Sequence, residues 1–249
     1  ALAITVETQL GWRDESQAWR EWRAAVEQFG VFVFQFPKVE LTEARGLSLL
    51  RFPLPAAGVN SKEQPEPRSY TLLHEVIHLM LAAGHEEAPA LLEKRSGEDW
   101  ETVERFAESA ASYALLPEAA LRAAAPDLSQ AWDIAAVRRV AWRFRVTPLA
   151  MATRLRSSGY MDWRQYRAWK DGWNEYVKTL PPRKGGFAHP VDIALGRNGK
   201  PYVQLVLDAL AANRITSVDA SRHLGLKFQH FDKLKESLRG ETTTGGADE

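Results

Sequence analysis

The segment SYTLLHEVIHLML, residues 69–81, constrains the fold of this chain more than any other feature. Most of its positions are apolar, and His74 and His78 are four residues apart within it. Residues at that spacing lie one above the other on the same face of an α-helix. The segment therefore predicts a largely buried helix, over about residues 68–83, that presents two imidazoles together.

Two imidazoles on one helix face can bind a single metal ion if the fold supplies a third ligand. Zinc in a catalytic site has three protein ligands and keeps one position for water. Glu75 lies next to His74 and can reach that water, where it would act as general base. Because the chain has no cysteine, any metal must be held by histidine and carboxylate. We expect Zn²⁺, and Mn²⁺ or Fe²⁺ also accept such ligands.

The third ligand is predicted from the chain that follows the two histidines. One class of zinc peptidases has a glycine three residues after the second histidine and a histidine six residues after it. Neither residue stands at its position here, so this class is disfavoured. A second class takes a glutamate from a following helix. Residues 98–116 predict that helix and carry Glu101, Glu104 and Glu108 on one stripe. We expect Glu104 to be the ligand.

The segments before this helix pair indicate an α+β fold. An apolar share of 45% with 26% charged residues is typical of a globular protein with a sizeable core. Residues 12–29 carry large apolar side chains at helical spacing. These side chains are Trp12, Trp19, Trp22, Val26 and Phe29. The segments VFVFQF, LSLLRF and AAGVNS then predict three short strands. We expect a small mixed sheet packed on zincin-type helices, followed by a mostly helical C-terminal region with helix-turn-helix-like units.

The C-terminal half differs from the first half in charge and in pattern. Residues 131–170 hold nine Lys and Arg against two Asp, whereas residues 61–120 are predominantly acidic. Two short helices split at VTP are predicted within residues 140–159, with Arg154 and Arg156 on the second, and residues 215–238 repeat this pattern. Such helices can contact DNA. The alternative is a helical extension that packs on the first half or recognises a protein, because any small helix bundle has similar turns.

The segments RSYTLLHEVIHLML and VERFAESAASYALLP together resemble the ImmA/IrrE family of bacterial zinc metallopeptidases, over about residues 30–120. The resemblance implies that His74, His78 and Glu104 bind zinc and that Glu75 is the catalytic glutamate.

Three positions depart from the family's pattern. Tyr70 stands at a Phe position, Leu73 replaces Ala, and Glu108 occupies the place of an Asn. A carboxylate at Glu108 could compete with Glu104, so both remain candidates for the third ligand.

Two more residues near the predicted site have alternative roles. Tyr113 can donate a hydrogen bond to charge that develops on a substrate, or it can fill the core beneath the second helix, and we favour the core. Arg68 can hold the sheet and the motif helix together, or it can fix a substrate backbone, and we favour the structural role.

The absence of cysteine favours a reducing cytosol. The resemblance implies an endopeptidase that cleaves an XRE-type helix-turn-helix repressor, in a stress-response, mobile-element or toxin–antitoxin setting. We expect the substrate to add a strand near GVNS, residues 58–61. The alternative function is a DNA-binding or sensor regulator that uses the fold without proteolysis. No apolar run is long enough to cross a bilayer, so no membrane association is expected.

The expected division of the chain follows from these patterns. Its parts are 1–125, the metallopeptidase domain; 126–180, a basic helix-turn-helix-like region; 181–200, a connector; 201–240, a small helical unit; and 241–249, a disordered tail.

Overall fold

The computed structural model gives an α+β fold, as predicted. It describes residues 2–84, 98–124, 131–181 and 188–240. Residues 85–97, between the motif helix and the helix that follows it, and the predicted tail over 241–249 lie outside these ranges. The helices of the described ranges are α1 Val6–Leu10, α2 Glu15–Gln28, α3 Pro65–Ala83, α4 Glu98–Leu115, α5 Glu118–Ala124, α6 Ile134–Phe144, α7 Pro148–Ser157, α8 Trp163–Lys178, α9 Pro190–Asn198, α10 Lys200–Ala211, α11 Ser217–Leu224 and α12 Phe231–Gly240.

The predicted small mixed sheet is confirmed. Its strands are β1 Phe32–Phe36, β2 Gly46–Leu49 and β3 Ala56–Asn60, in the order β1-β3-β2. β1 is parallel to β3, and β2 is antiparallel to it. The segment GVNS belongs largely to β3, the central strand, so both of its edges are already paired. The expectation that a substrate strand adds near GVNS is therefore wrong, and within this sheet the strand nearest α3 and α4 with a free edge is β2.

The helix predicted over residues 12–29 begins later, at Glu15. Asp14 caps α2 by accepting a hydrogen bond from the backbone N–H of Gln17, so the helix starts only after Trp12. Trp12 is nevertheless buried, edge to face with Trp22 at a ring separation of 5.8 Å. Phe29 lies at the end of the helix and is 48% exposed, so it does not belong to the core.

The motif helix α3 forms close to the predicted bounds. It begins at Pro65 rather than at Arg68, because proline is favoured in the first helical turn, where its missing N–H has no partner to lose. Leu72, Val76 and Leu79 are buried against the rest of the core. The apolar residues of the motif thus anchor the helix, while the polar face is left for other contacts.

The core continues across the boundary expected at residue 125. Buried residues of α6, α7 and α8 belong to the same hydrophobic cluster as the sheet, α2 and α3. Arg154, on a helix that could contact DNA or pack on the first half, does not face solvent. Its guanidinium is fully buried and donates to the carbonyl of Leu116 and to the Glu118 carboxylate, each at 3.0 Å. The Leu116 carbonyl lies just after α4, and Arg154 supplies its donor.

The expected connector over 181–200 contains a helix, α9. Pro190 occupies the first turn, and the side chain of His189 accepts a hydrogen bond from the Val191 N–H. We call residues 190–240 the C-terminal unit, because α9 to α12 enclose a second core of their own. The unit contacts α2 and the sheet through the Gly196 carbonyl, which accepts hydrogen bonds from Arg23 of α2 and Gln35 of β1, both at 2.6 Å.

Across the described ranges, no helix is both long enough and apolar enough to span a membrane.

Candidate metal centre

The two histidines and the glutamates of α4 face one open cleft. The cleft measures about 860 Å³ and lies between β2, α3 and α4. Residues 43–48 form one wall, and the polar faces of α3 and α4 form the other two. A site in this position is open to an extended ligand and is supported on three sides by regular elements.

Three side chains meet in this cleft with their ligand atoms close together. The Nε2 atoms of His74 and His78 are 3.0 Å apart. Each of them lies 3.3 Å from a different carboxylate oxygen of Glu104. Zinc–ligand bonds of about 2.0–2.1 Å at tetrahedral angles separate neighbouring ligand atoms by roughly 3.3 Å. The three residues therefore fit a tetrahedral metal ion that keeps a position open on the side of the cleft.

Of the three candidate glutamates, the structure brings only Glu104 to the histidines. Within the described part of the chain, His74, His78 and Glu104 are the one group of potential metal ligands whose ligand atoms all lie within 4.8 Å of one another. Glu101 and Glu108 are exposed. Glu108 lines the cleft one helical turn further on, and its backbone carbonyl is 3.4 Å from the Tyr70 hydroxyl.

Glu75 lies in the same cleft, next to the histidine pair. Its side chain is nearly buried, at 9% exposure, and its carboxylate accepts a hydrogen bond from the Ser48 hydroxyl of β2. Burial, together with the negative charge of Glu104, raises the pKa of Glu75 to about 7, although the Ser48 bond acts in the opposite direction. A carboxyl group with a pKa near neutrality is suited to proton transfer.

Comparison with protein-family models agrees with this geometry. The model described as the IrrE N-terminal-like domain, of peptidase family M78, matches residues 26–156, which is more than half of the 249 residues. The chain belongs to this family. The match includes the sheet, both helices of the cleft, and α6. No curated protein and no solved structure is significantly similar to the chain.

In this IrrE N-terminal-like domain, each histidine is stacked on an aromatic ring. Tyr70 stacks on His74, with ring centres 6.3 Å apart at 23°, and Trp100 stacks on His78 at 5.5 Å and 17°. These contacts restrict rotation of the imidazoles. Trp100 was not found from the sequence, although it lies four residues before Glu104 and so shares its helix face.

The surroundings of His78 in the M78 domain favour the uncharged form that a metal requires. Burial lowers the pKa of His78, and the neighbouring His74 lowers it further, while Glu104 raises it. The Nδ1 atom of His74 is buried without a hydrogen-bond partner among the described residues. Metal-binding histidines usually donate this N–H to a neighbour, and that hydrogen bond orients the ring. For His74, stacking on Tyr70 takes the place of this bond.

Neither role expected for Tyr113 is found in this domain. Its side chain is 50% exposed, and the guanidinium carbon of Arg154 lies 3.6 Å from the centre of its ring. Tyr113 is absent from the described residues that line the cleft. The structural role expected for Arg68 is confirmed, because it donates to the carbonyls of Ser61 and Glu63, at 2.7 and 2.8 Å, and so joins the end of β3 to α3.

Proposed function

We propose that this chain is a zinc-dependent endopeptidase. The observation that carries the proposal is the tetrahedral spacing of His74, His78 and Glu104 beside the nearly buried carboxyl group of Glu75. Membership in the M78 metallopeptidase family supports the same reaction class.

The residues of the cleft take distinct roles in peptide hydrolysis. His74, His78 and Glu104 would hold the metal, which when bound supplies Lewis-acid polarisation of water and of the scissile carbonyl. Glu75 accepts the proton of the attacking water and then donates it to the departing amine. Its pKa of about 7 allows the carboxyl group both to take up and to release that proton near neutral pH.

The cleft also offers a phenol for the developing oxyanion. Tyr70 lines the cleft, and burial together with the charges of Glu108 and Glu104 raises the pKa of its hydroxyl to about 12. The hydroxyl is therefore protonated near neutral pH and able to donate. Its present contact with the Glu108 carbonyl, at 3.4 Å, is long enough to be exchanged for a better acceptor.

An extended substrate fits the free edge of β2. β2 is at one end of the sheet, and residues 44–48 line the cleft. A segment that pairs with this edge gains main-chain hydrogen bonds and passes directly over the histidines. We further propose that the substrate is an XRE-type helix-turn-helix repressor, cleaved in the cytoplasm in a stress-response, mobile-element or toxin–antitoxin setting. The family resemblance supports this substrate class.

Incubation with a candidate repressor tests the proposed function. The full chain is purified metal-free and mixed with a candidate XRE-type repressor, with and without Zn²⁺, and cleavage is followed by mass spectrometry. We expect cleavage that requires Zn²⁺ and that falls at least about 100-fold in Glu75→Gln, because general-base catalysis contributes about 10²- to 10⁴-fold. Parallel reactions with Mn²⁺ and Fe²⁺ identify the preferred metal.

The outcome also separates the endopeptidase from the regulator that acts without proteolysis. If Glu75→Gln cleaves the repressor as fast as the wild type does, the mechanism is wrong. If the repressor stays intact while the chain binds duplex DNA with strong dependence on salt, the regulator is favoured.

A further inference from the structure

The edge strand β2 approaches Glu75 unusually closely at Gly46. A β-carbon added to Gly46 would lie 2.7 Å from the Cγ2 atom of Thr71 and 2.8 Å from the Cγ atom of Glu75, and it would also meet the Glu75 carboxylate. Side chains cannot approach so closely without movement. The space that any other residue would fill at position 46 is occupied by the side chain of Glu75.

Ser48 holds the same carboxylate from the next inward-facing position of β2. Successive side chains of a strand point to opposite faces, so Gly46 and Ser48 face α3, whereas Leu47 and Leu49 face away from it. The exposures agree, since Leu47 and Leu49 are 43% and 42% exposed. The Ser48 hydroxyl donates a hydrogen bond to the Glu75 carboxylate.

The position of β2 relative to α3 is fixed by a separate set of contacts. Arg45, just before Gly46, donates to the buried Glu63 carboxylate at 2.9 Å. The other carboxylate oxygen of Glu63 accepts a hydrogen bond from the Thr71 hydroxyl of α3 at 2.8 Å. The backbone carbonyl of Arg45 also accepts a hydrogen bond from the Asn60 N–H. β2 therefore has little freedom to move aside for a larger residue at position 46.

We propose that Gly46 and Ser48 are positioning residues for Glu75: the missing side chain of Gly46 leaves the space for the carboxylate, and the Ser48 hydroxyl holds it there. The contribution of this arrangement to catalysis rests on the proposed endopeptidase function. The contacts of Gly46 and Ser48 with Glu75 do not depend on that function. The two parts are tested by different experiments, so that either can fail alone.

The first experiment measures steric coupling in the metal-free full chain by urea denaturation. Gly46→Ala is compared in two backgrounds, the wild type and the double variant Thr71→Ser with Glu75→Ala. That double variant removes both carbon atoms that the new methyl group would meet and keeps the Thr71 hydroxyl function. We expect Gly46→Ala to lower the urea midpoint in the wild type and to lose more than half of this effect in the double variant.

Gly58→Ala is the matched control. Gly58 lies in β3, opposite Leu47, and its added β-carbon would meet Leu47 and Phe36 on the other face of the sheet, at 3.0 to 3.3 Å. Its effect on the urea midpoint should be equal in both backgrounds. Equal effects of Gly46→Ala in both backgrounds would overturn the steric part of the proposal. If Gly46→Ala fails to fold in the wild type but folds in the double variant, the proposal is supported.

The second experiment tests Ser48 through kinetics and zinc affinity. Ser48→Ala keeps the shape of the strand and removes the donor. We expect kcat to fall about tenfold while KM and the Kd for Zn²⁺ stay unchanged, and Ser48→Thr to restore kcat, because it restores the hydroxyl. If Ser48 were purely structural, Ser48→Ala would lower the urea midpoint without lowering kcat selectively at unchanged KM. An unchanged kcat in Ser48→Ala would overturn the role of Ser48. If the wild type cleaves nothing, the proposed function fails, and the denaturation result still decides the contacts.

Discussion

Two helices of this chain, α3 and α7, carry polar residues within apolar runs and use them in opposite ways. In α3, His74 and His78 face an open cleft and meet Glu104. In α7, Arg154 is fully buried, and it donates to a backbone carbonyl and to Glu118. The sequence pattern predicted a metal site for the histidines, and for the helix of Arg154 it left DNA contact and packing as alternatives. Periodicity identifies residues that share a face, but the neighbouring elements decide whether that face is open.

The two faces differ because of what lies across from them. β2 and α4 stand apart opposite the histidine face of α3, and a cleft of about 860 Å³ remains between them. The Arg154 face of α7 instead closes against the end of α4 and the start of α5, where the Leu116 carbonyl requires a donor. The outward positions of α7 are Leu149, Thr153 and Ser157, so its exposed face is not basic. The first face is suited to chemistry and the second to stability.

The largest expected effect is the loss of metal binding in Glu104→Gln. The amide replaces a charged ligand, so the Kd for Zn²⁺ should rise by more than about 100-fold. Loss of a residue that only hydrogen-bonds to a ligand already costs roughly 10- to 100-fold in metal affinity. The urea midpoint of the metal-free chain should hardly change, because Glu104 is half-exposed. Competition with a chromophoric chelator measures the Kd. A rise of less than tenfold would remove Glu104 from the ligand set.

Arg154→Met should show the reverse behaviour. The substitution leaves the Leu116 carbonyl without its donor and removes the partner of the partly exposed Glu118, so the free energy of unfolding should fall by about 2 kcal/mol, within the range for an unsatisfied buried acceptor. The Kd for Zn²⁺ should stay the same. Arg139→Met, at an exposed position of α6, is the matched control and should change stability by no more than about 0.5 kcal/mol. A loss below about 1 kcal/mol for Arg154→Met would mean that the buried contacts of α7 contribute little.

The parts of this structure that sequence predicted are those fixed by local pattern. The spacing of His74 and His78, the apolar anchor of α3 and the three strands all follow from residues close to one another in the chain. Glu104 could be predicted as a ligand because a second helix with carboxylates on one stripe had to lie near the first. Its preference over Glu108 depends on how α4 crosses α3, which no local pattern contains.

The parts that sequence missed depend on contacts between distant segments. The burial of Arg154 depends on where α4 ends, and the contact of Glu75 with Gly46 depends on how β2 lies on α3. The helix α9 is not predicted for a different reason, since the prolines and glycines around it are also typical of a connector. Pro190 in fact stands at the first turn, where proline favours a helix.

A smaller effect is expected from the aromatic ring beside His78. Trp100→Ala removes the ring that stacks on this ligand, so the imidazole loses orientation and the Kd for Zn²⁺ should rise about tenfold. Trp100→Phe keeps a stacking ring and should retain most of the affinity. Trp142→Ala, at a 63% exposed position of α6, is the control and should leave the Kd unchanged. Equal affinities of Trp100→Ala and the wild type would show that the cleft orients His78 without this ring.

The smallest effect is expected from Glu108→Gln, which tests the same helix face one turn beyond the ligand. The Glu108 side chain is exposed, and it is not part of the group formed by His74, His78 and Glu104. Its contact with Tyr70 uses the backbone carbonyl, which the substitution preserves. The Kd for Zn²⁺ should therefore change by less than about threefold, since only a screened charge near the site is lost. In the same chelator assay as Glu104→Gln, a loss of Zn²⁺ affinity of comparable size would show that both carboxylates bind the metal. The face of α4 that supplies metal ligands would then extend one helical turn beyond Glu104.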